Sequence, residues 1–93
     1  GIAYIRTTIK GDLVKEYAIE ILKVYPLNET RNILFKVTDK NLLDEAGGIV
    51  QGMSGSPIIQ NNKLVGAVTH VISDDTTKGF GIFIENMLKE VDN

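Results

Sequence analysis

The chain has 93 residues, 43% hydrophobic and 24% charged, with a net charge of −2. That is enough for one small domain, which buries roughly 60–70% of its unfolded surface, and it excludes disordered, collagenous and coiled-coil classes. No apolar run approaches the roughly 18 residues of a membrane helix. The acidic balance argues against a nucleic-acid partner. Cysteine is absent, which removes disulfides, thiolate metal sites and cysteine catalysis. A single histidine is too few for an ordinary zinc site, so neither a metal nor a cofactor is expected. The chain begins at Gly1 without an initiator Met or signal peptide, and it reads as a piece of something longer.

Residues 2–9 alternate as a strand, with Ala3, Ile5 and Ile9 on one face. Lys10-Gly11-Asp12 reads as a hairpin turn. A second strand spans 13–24, with Tyr17, Ile19 and Ile21 facing one way, until Pro26 and Asn28 interrupt it. Residues 32–38 form a third strand, with Ile33, Phe35 and Val37 aligned. Asp39 then stands as N-cap before the short helix KNLLDEA, which Gly47-Gly48 ends. A hairpin follows: PIIQ, a turn at Asn61-Asn62, then KLVGAVTHV. Residues 73–78 read as a polar loop, 79–84 as the last strand, and Glu85–Val91 as a terminal helix. The expected fold is all-β: a six-stranded antiparallel barrel with one or two short helices, in one domain over residues 1–93.

The segment Gly52-Met53-Ser54-Gly55-Ser56-Pro57 carries the chemistry. Glycines on both sides of Ser54 permit positive φ and close approach of backbone to a bound group. A serine nucleophile needs an exposed Oγ and nearby N–H groups aimed at the developing oxyanion. Here the N–H groups of Gly52 and Ser54 would form that hole. A G-x-S-G string alone is more often a plain turn.

Two features outweigh that. The hexapeptide resembles the G-D-S-G-G-P loop of chymotrypsin-like serine peptidases, with Ser54 on the nucleophile. Leu64–Val71 (LVGAVTHV) resembles the L-V-G-I-V-S-W-G strand that lines their substrate cleft. The string GGIVQGMSGSPIIQNNKLVGAVTHV followed by GFGIFIENML is very similar to the stage IV sporulation protein B family, serine peptidases of endospore-forming bacteria. The resemblance covers most of the chain and is strongest from Val37 to Leu88.

It implies the second, C-terminal β-barrel of a chymotrypsin-like double barrel. It also implies a membrane-anchored, PDZ-containing parent that works between the forespore membranes. There the family cleaves an inhibitory, membrane-associated partner to trigger processing of a pro-sigma factor. By the same resemblance Ser54 is the nucleophile and Asp39 the third member of the triad. The catalytic histidine lies in an upstream G-H motif of the first barrel. The isolated chain is therefore expected to be inactive. The strand at Thr69, His70 and Val71 would line the substrate cleft, and Gly48 would lie at the base of a specificity pocket.

Each assignment has a plainer competitor. Asp39 serves equally as a helix cap. His70 shares the alternation of Leu64, Gly66 and Val68, as a half-buried histidine would. Gly47 suits a helix C-cap, and Gly48 brings no charge to a pocket. Ser56, next to Pro57, suits a local backbone contact. Asp74-Asp75 reads as a solvated turn rather than a metal site. Met53 stands where chymotrypsin-like enzymes have an aspartate that pairs with a new amino terminus, and a thioether cannot form that ion pair. Two other functional classes stay open. One is a β-domain whose edge strand 64–71 docks an extended peptide without cutting it. The other is a half-barrel that mainly self-associates through an apolar face.

Overall fold

A computed structural model describes residues 1–8, 14–49 and 52–91. Its strands are β1 (Ile2–Thr7), β2 (Lys15–Val24), β3 (Ile33–Val37), β4 (Pro57–Gln60), β5 (Lys63–Ile72) and β6 (Asp75–Phe83). Helix α1 (Lys40–Ala46) follows β3, and α2 (Ile84–Val91) follows β6. The strands close into a barrel in the order β1-β2-β3-β6-β5-β4, with every pairing antiparallel. This is the expected six-stranded all-β barrel. Ile9 and the expected turn at Lys10-Gly11-Asp12 lie outside the described residues.

The inward face follows the alternation of the sequence. Ala3 and Ile5 of β1, Tyr17 and Ile19 of β2, and Ile33, Phe35 and Val37 of β3 are all buried in one cluster. Burial of Tyr17, helped by the negative charges of Glu45 and Asp39, pushes its phenol above the ordinary tyrosine value. The β4–β5 turn is made by Asn61 and Asn62, with φ of 54° and 64°. Asparagine tolerates that region better than other side chains, and two consecutive positive φ values give the twist a two-residue hairpin needs.

Asn32 is the one fully buried polar residue among those described. Its Nδ2 donates to the carbonyls of Tyr25 and Asn28, and its Oδ1 accepts from Phe83 N–H and Asn86 Nδ2. Each hydrogen-bonding position is used, so its burial carries little desolvation cost. The residue ties the β2–β3 connection to the end of β6 and the start of α2.

Residues 73–78 are not the expected polar loop, because β6 begins at Asp75 and only Ser73-Asp74 form the turn. Thr76 and Thr77 are β-branched and suit a strand despite their polarity. They fall where the β5–β6 register shifts between Val71↔Gly79 and Ile72↔Asp75, so this stretch bulges away from β5. The bulge meets the end of α1: Thr76 O accepts Ile49 N–H at 2.7 Å, and Thr76 Oγ1 donates to Gly47 O at 3.0 Å.

Several apolar side chains stay on the outer surface. Tyr4 pairs directly with Ala18 and Ile59, and Ile59 with Leu64. These four form a row across β2, β1, β4 and β5, in which Tyr4 and Leu64 are exposed. Among the described residues no helix is long and apolar enough to cross a membrane.

Candidate active site

The loop before β4 is shaped by its glycines. Gly52 has φ 99° and Gly55 φ 90°, a region that side chains rarely enter. Between them the loop is fastened at three points. Gly55 N–H donates to Val68 O at 2.7 Å, Val68 N–H donates to Ser56 O at 2.9 Å, and Ser56 N–H donates to Met53 O at 3.0 Å. The Met53 side chain is buried in the core. It therefore anchors the loop by packing, at the position where chymotrypsin-like enzymes carry a charge. An apolar residue between two glycines was the available signal.

Ser54 itself is exposed, and its Oγ donates to Thr69 O at 3.2 Å. Among the described residues the N–H groups of Gly52 and Ser54 have no hydrogen-bond partner. Ser56 points elsewhere: its Oγ donates to Thr7 Oγ1 at 3.2 Å, across the seam between β4 and β1.

Beside Ser54 lies a cleft of about 320 Å³. Its rim is polar, formed by Gly52, Ser54, Thr69 and His70, and its floor is Ile49, Val68 and Val71. Five of the residues singled out from the sequence thus come together: Gly52, Ser54, Thr69, His70 and Val71. Ile49 and Val68 were missed, although each adjoins a residue that was named. The cleft runs along an open backbone edge. β4 begins at Pro57, opposite Ala67, so Thr69–Ile72 of β5 have β6 on one side and no described strand on the other.

Leu64, Gly66, Val68 and His70 do not all share one face, because two bulges interrupt β5. Ile58 pairs with Gly66 while Ile59 pairs with Leu64, leaving Val65 as an extra residue. Val68 pairs with Gly81 while His70 pairs with Phe80, leaving Thr69 extra. Each extra residue reverses the alternation. Leu64 is therefore exposed, Gly66 and Val68 are buried, and His70 is exposed again. Thr69 Oγ1 donates to Phe80 O at 3.3 Å, and His70 Nδ1 lies 2.9 Å from the same hydroxyl. No hydrogen bond joins His70 to Ser54 among the described residues.

Asp39 and Gly48 lie apart from the cleft. Asp39 Oδ1 accepts from the N–H groups of Asn41 at 2.9 Å and Leu42 at 3.2 Å. Its Oδ2 accepts from Ala18 N–H at 3.2 Å. It is the N-cap of α1 and also pins that helix to β2. Gly47, with φ 73°, closes the other end through its N–H to Leu43 O. Gly48 has φ 127°, and a Cβ there would lie 2.2 Å from Thr76 O. Gly48 thus lets the chain lie flat on the β6 bulge, and it is the next residue, Ile49, that reaches the cleft.

The family model described as SpoIVB peptidase S55 matches residues 1–88. The chain belongs to that family. No curated protein and no solved structure matches it. Membership in the SpoIVB peptidase family agrees with the resemblance carried by the serine loop and by LVGAVTHV.

Proposed function

We propose that this chain is the nucleophile-bearing barrel of a serine endopeptidase. Ser54 Oγ attacks the carbonyl carbon of a scissile peptide bond, and its proton passes to a base. The oxyanion that forms is held by the N–H groups of Gly52 and Ser54. Collapse of the tetrahedral species breaks the C–N bond, the base returns its proton to the leaving amine, and an ester remains on Ser54 for water to hydrolyse. The observation that carries this reading is the placement of Ser54: exposed between two positive-φ glycines, at the mouth of a cleft, in a chain of a peptidase family. Loss of one oxyanion donor costs about 10²–10³ in rate in comparable enzymes.

In this reading the base is supplied by a part of the enzyme outside these residues, because His70 is bonded to Thr69 rather than to Ser54. The open edge Thr69–Ile72 takes the substrate as an extended strand. The substrate is a protein segment, and the family resemblance points to an inhibitory, membrane-associated partner in sporulation signalling.

A second reading, a peptide-docking module that does not cut, draws on the bond from Ser54 Oγ to a backbone carbonyl, which is no base. Turnover of a peptide substrate by the intact protein separates the two. Ser54→Ala is expected to abolish hydrolysis, and Ser56→Ala, which loses only a bond to Thr7, to retain it. Equal rates for Ser54→Ala and the unaltered protein would overturn the peptidase reading.

A further inference from the structure

The cleft beside Ser54 has a composition that restricts what it can hold. Its floor is not a separate pocket wall but the edge of the barrel core. Ile49 and Val68 are buried members of the main hydrophobic cluster, and Val71 packs against it. Among the described residues His70 is the only ionisable side chain in the lining, and it stands on the exposed rim. None of the described lining residues is a carboxylate, lysine or arginine. A charged group brought to the floor would give up much of its water and meet no oppositely charged side chain among the described lining residues, a costly outcome. An apolar group brought there would be covered on several sides.

The end of the cleft is fixed by backbone. Ile49 is held by its own N–H on Thr76 O at 2.7 Å, and Gly48 lies so close to the same carbonyl that a Cβ has no room. Residue 48 therefore cannot project a side chain into the cleft. Among the described residues selection falls to Ile49 and Val71.

Resting on the peptidase reading above, we propose that the cleft selects substrates in which the residue donating the attacked carbonyl has an apolar side chain, and that Ile49 and Val71 set this choice. Small differences among apolar side chains are worth only about 10–200-fold in such pockets. Exclusion of charge is the stronger discrimination.

The test uses the intact protein and a series of peptidyl diphenyl phosphonates that differ only in the side chain next to phosphorus: valine, leucine and phenylalanine against lysine and glutamate analogues. Ser54 Oγ attacks phosphorus, an O–P bond forms, and one phenoxide leaves and takes up the serine proton as phenol. Second-order labelling rates are followed by mass spectrometry, with the adduct located by fragmentation. The apolar members are expected to react at least about tenfold faster than the charged ones, all at Ser54. Val71→Asp is expected to reverse the order toward the lysine analogue. Because that variant disturbs packing, Val71→Thr serves beside it: it keeps the branched shape, adds a hydroxyl, and is expected to slow the apolar members alone. Labelling at Ser54 with equal or faster rates for charged members would overturn this inference and leave the peptidase reading standing. No labelling of Ser54 by any member would overturn both.

Discussion

The hydroxyl of Ser54 donates its hydrogen bond to the carbonyl oxygen of Thr69, 3.2 Å away. Thr69 is the extra residue of a bulge in β5, between Val68, which pairs with Gly81, and His70, which pairs with Phe80. The bulge therefore accounts for two features at once. It brings a main-chain acceptor to the serine, and it turns the next side chain, His70, outward to the rim of the cleft. A carbonyl can hold the hydroxyl but cannot take its proton.

Asp39 accepts from three backbone N–H groups, two of α1 and one of β2. Asp39→Ala is expected to destabilise the chain by about 2 kcal/mol, at the upper end of cap losses. Asp39→Asn keeps one acceptor for the helix but turns an amide toward Ala18 N–H, so it should cost about 1 kcal/mol. Chemical denaturation of both variants checks this. On the cap reading the intact protein with Asp39→Asn retains turnover. Loss of turnover with unchanged stability would instead give the carboxylate a part in catalysis.

Two adjacent glycines should respond differently to alanine. Gly47 has φ 73° and open space at its Cβ position, so Gly47→Ala is expected to cost about 1 kcal/mol for backbone strain alone. Gly48→Ala adds a collision with Thr76 O at 2.2 Å and should cost on the order of 3 kcal/mol. At about 4–8 °C per kcal/mol for a domain of this size, thermal melts resolve the two. Equal losses would contradict the close docking of residue 48 on β6.

The Thr77 hydroxyl, followed by the Thr77 N–H, holds the Asp75 carboxyl below the ordinary aspartate value, and Lys78 and Lys36 act in the same direction. A lowered folded pKa means that Asp75 contributes stability above the unfolded value of about 3.9, which is lost as pH falls through the folded value. Asp75→Asn should therefore flatten the acid limb of the stability profile below about pH 4. Urea midpoints at neutral pH and at about pH 3 give the comparison. An unchanged difference between the two pH values would contradict the assignment.

Much of the barrel was legible because its inward residues alternate cleanly from Ala3 to Val37. The serine loop was legible because glycines stand on both sides of Ser54 and LVGAVTHV follows one hairpin later. The face of His70 was not, because a bulge adds a residue without any compositional mark, and Leu64, Gly66, Val68 and His70 keep an even spacing across two of them. The start of β6 was hidden by polarity: Asp75, Thr76 and Thr77 look like loop residues, yet their polar groups bond to each other and to Gly47 O. The docking of Gly48 on β6 was not legible, because its contact is with Thr76, a residue far along the chain that no local pattern connects to it.

The most direct test of the account is fluorophosphonate labelling of the intact protein, with the modified residue located by tandem mass spectrometry. One adduct is expected, on Ser54, and none on the isolated 93-residue chain, where His70 is bonded to Thr69 and no other imidazole exists. An intact protein that stays unlabelled, or that is labelled at Ser56 instead, would contradict the assignment of Ser54 as nucleophile. Labelling of the isolated chain that is lost with His70→Ala would show that the base lies within the barrel.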